Sequence, residues 1–147
     1  MSVLNPLMLA AFKQAEKALQ AGEVPVGAVV VYNQKIISSA HNLVCQSHDP
    51  TAHAEILVLR EASQILKTPY LNECELYVTL EPCAMCAAAI SWARIKHLCF
   101  GAYDPKGGGV EHNARVFDHS FHKPEVIGGI CEKECAELMV KFFQSKR

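Results

Sequence analysis

The chain has 147 residues, of which 50% are hydrophobic and 20% charged, with a formal net charge of -1 at pH 7. This length fits a single domain over residues 1–147, and the composition excludes a disordered or fibrous protein. With this net charge, overall electrostatic attraction cannot bind nucleic acid, so any contact with RNA must depend on a local patch of basic residues.

The longest apolar run near the start, residues 7–12, is too short to cross a membrane and has no basic residue before it. We therefore expect no membrane association and a cytoplasmic location. The seven cysteines form an odd count without a secretory signal, which favours a reducing compartment and a metal or catalytic use of the thiols.

The first predicted elements are a helix and a hairpin. Apolar residues recur at near-helical spacing over 5–20, and Pro6 suits the first turn of that helix. A β-branched run at 26–32, a tight turn at 33–34 and a second run at 35–40 predict two adjacent strands.

A second helix is expected to begin just before His53, with Asp49 and Pro50 as its cap and first-turn pair. Pro82 is expected to open a third helix, and 104–123 is predicted to be a long loop. The remaining predicted elements are strands at 75–80, 97–101 and 125–127, an end of the third helix near 94, and a closing helix at 133–143. This alternation predicts an α/β sandwich around one sheet.

Two clusters contain residue types that bind metals: His53-Ala54-Glu55, and Cys83 with Cys86 after Pro82. One imidazole and two thiolates leave the fourth position of a tetrahedral zinc ion open for water, as in catalytic sites. Residues two apart in the middle of a helix, such as His53 and Glu55, would face nearly opposite directions. Their side chains can meet the two cysteines at one metal ion only if each cluster lies at the start of a helix. The positive end of a helix also favours the thiolate form of the cysteines.

Glu55 is the residue that makes this metal site a candidate enzyme. A carboxylate beside metal-bound water can accept the proton of that water and pass it on to a substrate and then to a departing amine. We therefore expect His53, Cys83 and Cys86 to bind zinc, and Glu55 to be the catalytic proton carrier and not a ligand.

The Cys-x-x-Cys pattern alone is also typical of a zinc ribbon or a thiol redox pair. A ribbon needs a second close pair, and the candidate pair, Cys131 and Cys135, is predicted to lie on one side of the last helix. We expect the other cysteines to be ordinary buried or half-buried thiols: Cys45, Cys74 and Cys99. The His-x-Glu pattern shifts the balance toward a catalytic site.

Four segments together resemble a known family. They are EVPVGAV at 23–29, HDPTAHAE at 48–55, LYVTLEPC at 76–83 with Cys86, and FGAYD at 100–104. His-x-Glu followed by Pro-Cys-x-x-Cys is the signature of zinc nucleobase deaminases. More narrowly, the sequence resembles the bacterial tRNA-specific adenosine deaminases, which convert the wobble adenosine of an arginine tRNA to inosine.

The resemblance implies a cytidine-deaminase-like three-layer α/β/α sandwich with a five-stranded mixed sheet, and a homodimer with one zinc ion per subunit. It implies hydrolytic deamination at position 34 of tRNA-Arg(ACG), in which zinc-bound water attacks C6 of adenine and Glu55 carries protons. The partner would then be the anticodon loop of the tRNA.

The same resemblance implies that Asn42, Val26 and Asp104 contact the substrate. Without it, Asn42 is equally well explained as a turn residue, and Asp104 as a turn or cap before Pro105. The segment DPKGGGVE at 104–111 departs from better-known members of the family, which could change how this loop contacts RNA.

Two other functions remain open from the sequence. A deaminase of free guanine or cytosine would share every metal ligand and differ in how its C-terminal segment closes the pocket. A noncatalytic RNA-binding subunit could keep zinc for structure, although Glu55 argues against this reading.

Overall fold

A hairpin begins the sheet in the computed structural model, which describes residues 5–146. Strands β1 (Gly27–Tyr32) and β2 (Lys35–His41) pair antiparallel. Asn33 and Gln34 between them both have positive φ, 50° and 65°, as a two-residue hairpin turn requires. The predicted hairpin is therefore confirmed.

The described residues complete a five-stranded mixed sheet with strands β3 (Cys74–Leu80), β4 (His97–Ala102) and β5 (Glu125–Ile127). The strand order is β2-β1-β3-β4-β5, in which β3 pairs antiparallel with β1, and the β3–β4 and β4–β5 pairs are parallel. Parallel neighbours need crossover connections, which a helix and a long loop supply.

Helices cover both faces of the sheet. They are α1 (Pro6–Gln20), α2 (Val44–Ser47), α3 (Ala54–Leu66), α4 (Ala84–Ala93) and α5 (Glu132–Ser145), with a 3-10 turn at Val116–His119. One core lies between the sheet and α3 with α4, and a second between the sheet and α1 with α5. This is the predicted three-layer α/β/α sandwich, with its five-stranded mixed sheet.

The first helix packs closely on the sheet because of two sequence features. The Asn5 side chain accepts hydrogen bonds from the N–H groups of Leu7 and Met8, so it caps the helix that Pro6 opens. At Gly27, an added Cβ would lie 2.1 Å from the carbonyl oxygen of Ala11, so only glycine permits this approach.

Two predicted helix starts are wrong. Asp49 does not cap α3: its carboxylate accepts hydrogen bonds from the N–H and hydroxyl of Thr51, so Asp49-Pro50 belongs to a turn before the helix. Pro82 lies before the N-cap of α4 and not in its first turn. The short helix α2 was not expected from the sequence.

Within residues 5–146, the structure contains no helix that is both long enough and apolar enough to span a membrane.

Candidate active site

Three predicted metal ligands meet at one point. His53 Nδ1 lies 3.7 Å from Cys83 Sγ and 3.5 Å from Cys86 Sγ, and the three donor atoms all lie within 4.8 Å of one another. Zinc bonds of about 2.3 Å to sulfur and 2.0 Å to nitrogen, in a tetrahedron, separate these ligands by about 3.6 Å. The donors therefore fit a zinc ion in both chemistry and spacing.

The ends of two helices place these ligands. His53 is the N-cap residue of α3 and Cys83 is the N-cap residue of α4, while Cys86 lies in the first turn of α4. Both helices pack on the same face of the sheet through buried residues such as Val58 and Ile90. Because their starts face the same point, an imidazole and two sulfurs converge although thirty residues separate His53 from Cys83 in sequence.

The charges at the cluster suit a cation. A hydrogen bond from Cys86, supported by His53, lowers the pKa of Cys83 to about 4. The hydrogen bond with Cys83, followed by burial, raises the pKa of Cys86. The hydrogen bond with Cys83 likewise raises the pKa of His53. A bound metal ion would displace the remaining protons, since thiolates and neutral imidazole are the ligand forms.

Glu55 lies in the first turn of α3 and is 4% exposed. Burial raises the pKa of Glu55 to about 7, and the nearby Cys83 adds to this effect. A carboxyl group with a pKa near neutrality can both accept and donate a proton at physiological pH. The arrangement thus places three candidate metal ligands beside a separate carboxyl group that is able to carry protons.

Asn42 and Val26 lie next to the start of α3. The Asn42 side-chain oxygen accepts a hydrogen bond of 2.9 Å from the N–H of Ala54, and the Asn42 N–H donates to the carbonyl of Val26 at 3.2 Å. Both residues are buried, with 7% and 5% exposure. Because the amide oxygen of Asn42 is engaged, its NH₂ group is the part left to contact a ligand.

Asp104 follows β4 at the start of the long loop and is half-buried. One oxygen of its carboxylate accepts a hydrogen bond of 3.0 Å from the N–H of Gly107, and its own N–H donates to Glu81 at 3.0 Å. The turn predicted as an alternative role is therefore present. A second carboxylate oxygen, Oδ2, makes no hydrogen bond to any other residue in 5–146.

Two buried carboxyl groups border the site without having been predicted from the sequence, those of Glu23 and Glu81. Glu23 accepts hydrogen bonds from the N–H groups of Cys45 and Gln46, in the segment that follows Asn42. Glu81 accepts hydrogen bonds from the loop that contains Asp104. The sequence feature that could have revealed them is a glutamate directly beside a buried apolar run, because a buried carboxylate needs hydrogen-bond donors inside the fold.

The pKa of Glu81 reflects these partners. Burial alone would raise it, but hydrogen bonds from the Asp104 N–H, the His112 ring and the loop amides outweigh burial and lower the pKa below its ordinary value. Glu81 is thus a carboxylate at neutral pH, held next to the loop.

The remaining cysteines are all free thiols. Cys74 and Cys99 are buried, as expected. Cys135 is also buried, within α5, and Cys131 is half-buried at the N-cap of that helix. Cys45 is exposed, so the expectation of a buried or half-buried thiol is wrong for this residue.

Known proteins share both the site and the fold. A family model for the cytidine and deoxycytidylate deaminase zinc-binding region matches residues 1–102, which include the three ligands and Glu55. The tRNA-specific adenosine deaminase of Rickettsia typhi is 49% identical over 141 residues, covering 93% of this chain and 95% of that relative.

Two solved structures extend the comparison. One, from work on A-to-I editing by tRNA:A34 deaminases at the wobble position, has a TM-score of 0.89 at 47% identity and covers 90% of this chain and 98% of its own. A guanine deaminase from Bacillus subtilis has a TM-score of 0.65 at 40% identity and covers 67% and 63%. The chain belongs to the zinc-binding cytidine and deoxycytidylate deaminase family and, within it, to the tRNA-specific adenosine deaminases.

Proposed function

We propose that this chain deaminates adenosine 34 to inosine in the anticodon loop of tRNA-Arg(ACG). The observation that carries the proposal is the complete His53, Cys83 and Cys86 donor set beside a buried Glu55 that is not needed as a ligand. The high identity to a tRNA-specific adenosine deaminase, over nearly the whole length of both chains, supports adenosine in tRNA as the substrate.

The roles of the residues follow from their chemistry. When bound by the three ligands, zinc supplies Lewis-acid activation of water at neutral pH. Glu55 accepts a proton from the water that attacks C6 of adenine and delivers it to the adjacent ring nitrogen. The same carboxylate then takes the second proton from the hydroxyl now on C6 and transfers it to the amine, which leaves as the C6–N bond breaks and the carbonyl forms. One water is consumed, and the products are inosine and ammonia.

Three further residues are proposed to hold the substrate. The NH₂ group of Asn42 can donate a hydrogen bond to an acceptor on the purine edge, and Val26 packs beside it. Asp104 can accept a hydrogen bond from a sugar hydroxyl or an exocyclic amine of the anticodon loop. Neither role requires a change in the protein contacts described above.

The homodimer is likewise proposed. Trp92 and Phe121 are 74% and 102% exposed and line a groove of about 780 Å³, and a second copy of the chain on this face would remove both rings from water. We expect light scattering to give twice the mass of one chain. Trp92→Asp should give a monomer, whereas Ile36→Asp, at an exposed position on β2, should leave the dimer intact. A monomeric wild type contradicts this proposal.

A deaminase of free guanine remains the second candidate, because a guanine deaminase is 40% identical to this chain over part of its length. Parallel assays of the zinc-loaded protein on tRNA-Arg(ACG), free adenosine, guanine and cytosine separate the two. Product from the tRNA alone supports the proposal, and turnover of a free base with unchanged tRNA refutes it.

A cytoplasmic location stays a prediction.

A further inference from the structure

The Glu81 carboxylate holds both ends of the segment 104–112. Its side chain is 0% exposed. Oε1 accepts hydrogen bonds from the N–H of Asp104 at 3.0 Å and the His112 ring at 2.8 Å. Oε2 accepts from three consecutive N–H groups at 3.2, 2.9 and 3.2 Å, those of Val110, Glu111 and His112.

Two glycines bring this segment against the carboxylate and the start of α4. A Cβ at Gly108 would lie 2.4 Å from the Glu81 carboxyl group, and one at Gly109 would lie 2.5 Å from the nitrogen of Ala84. The Gly109 N–H also donates to the carbonyl of Pro82 at 2.8 Å. The loop therefore rests directly on the turn that places Cys83.

The buried carboxylate of Glu81 accepts five hydrogen bonds, which is more than the one or two that close a simple turn. Removing a carboxylate from water is costly unless charged or well-aligned donors replace its hydration, and here the loop itself supplies all of them. Because the donors come from both ends of the segment, the charge of Glu81 fixes the position of Asp104 as well as that of His112.

We propose that Glu81 is a positioning residue that holds Asp104 in place to receive the RNA, with His112 as its partner. This inference rests on the proposed function. Glu81 acts through the loop and does not contact the reacting atoms. The Oδ2 oxygen of Asp104, which has no hydrogen-bond partner within residues 5–146, is then held in a fixed position relative to the turn that places Cys83. RNA bound by this oxygen is thereby aligned with the metal ligands.

The test measures kcat and KM for tRNA-Arg(ACG), together with the zinc content of each variant. Glu81→Gln replaces one acceptor oxygen with a donor that faces the loop N–H groups, and His112→Ala removes the ring donor from a site far from the metal ligands in sequence. Glu16→Gln is the matched control for Glu81→Gln, because Glu16 is an exposed glutamate on α1, outside the loop and the metal cluster.

We expect Glu81→Gln to raise KM roughly tenfold and His112→Ala to raise it by a smaller factor, with kcat within about twofold and one zinc ion per chain. The double variant should be no worse than Glu81→Gln alone, because both changes break the same contact. Glu16→Gln should match the wild type.

Several results would overturn the inference. An unchanged KM in His112→Ala, a fall in kcat without a rise in KM, or zinc loss in Glu81→Gln with normal His112→Ala would each show that Glu81 does not act through the loop. Absence of inosine with the wild type would instead refute the proposed function, so the two failures are distinguishable.

Discussion

At the residue scale, the proposed mechanism assigns metal binding and proton transfer to different side chains. His53 and the two cysteines supply the donors that zinc prefers, while Glu55 is held beside them by helix α3. Because the two tasks belong to different side chains, single substitutions should remove one without the other.

Glu55→Ala should keep zinc and the fold but lose turnover by roughly 10²- to 10⁴-fold, the usual contribution of a positioned proton carrier. Elemental analysis and initial rates on tRNA check both parts. Glu61→Ala, an exposed glutamate on the same helix, serves as the control and should be nearly as active as the wild type. Near-normal turnover in Glu55→Ala would refute the assigned role.

His53→Ala and Cys83→Ser should each shed the metal, because two remaining protein ligands hold zinc far more weakly than three. Elemental analysis of the purified variants measures this directly. Cys45→Ser changes an exposed thiol outside the cluster and should keep one zinc ion per chain. Full zinc occupancy in both ligand variants would show that the donor set is wrong.

The metal-free chain should lose stability as pH rises through the titration of Glu55. Its pKa rises from the ordinary 4.5 to about 7 on folding, mainly through burial. Between these values the folded chain keeps a proton that the unfolded chain has released, so the free energy of unfolding falls with increasing pH. Urea unfolding at pH 5 and pH 8 measures the free energy of unfolding of the wild type and of Glu55→Gln. Between these pH values the free energy of unfolding of the wild type should fall relative to that of the variant. If the difference in free energy between the two proteins does not change with pH, the raised pKa is contradicted.

The cluster of His53, Cys83 and Cys86 could be predicted from sequence because these residue types and their spacing are specific to one chemistry, while the role of Glu55 stays a prediction. The contributions of Glu81 and Glu23 could not, because a buried carboxyl group is defined by its partners, and those lie more than twenty residues away in the chain. The substrate contacts proposed for Asn42, Val26 and Asp104 remain predictions.

At the element scale, the strands and long helices follow from periodicity, and the errors fall at turns. Asp49-Pro50 has the composition of a helix start, but the hydroxyl and N–H of Thr51 compete for the Asp49 carboxylate and form a local turn. Helix α2 has four residues, too few for any periodic signal. Its position depends on Glu23, a contact that no local pattern encodes.

Glu23→Ala should therefore loosen α2 and the segment after Asn42. The change leaves the N–H groups of Cys45 and Gln46 without their acceptor, which should reduce the free energy of unfolding by about 1–3 kcal/mol. Hydrogen exchange should show faster exchange at these two amides. Glu16→Ala, at an exposed position of α1, is the control, and equal protection in both variants would contradict the assigned contact.

At the scale of the whole molecule, the reaction site is formed by one of the two helix layers, the one that contains α3 and α4. The starts of α3 and α4 converge on the donor cluster, and the loop after β4 borders it through Glu81. The three-layer fold and the family could be anticipated because the motifs extend from residue 23 to residue 104. That residues 1–147 form one domain stays a prediction, for which a single cooperative unfolding transition is the expected result.

The most direct test of the account is inosine formation in tRNA-Arg(ACG) by wild type and Glu55→Ala at equal zinc content. Nucleoside analysis measures inosine, and sequencing of the product locates it. The account predicts inosine at position 34 with the wild type and almost none with the variant. Unconverted adenosine at position 34 after incubation with the folded, zinc-loaded wild type would contradict it.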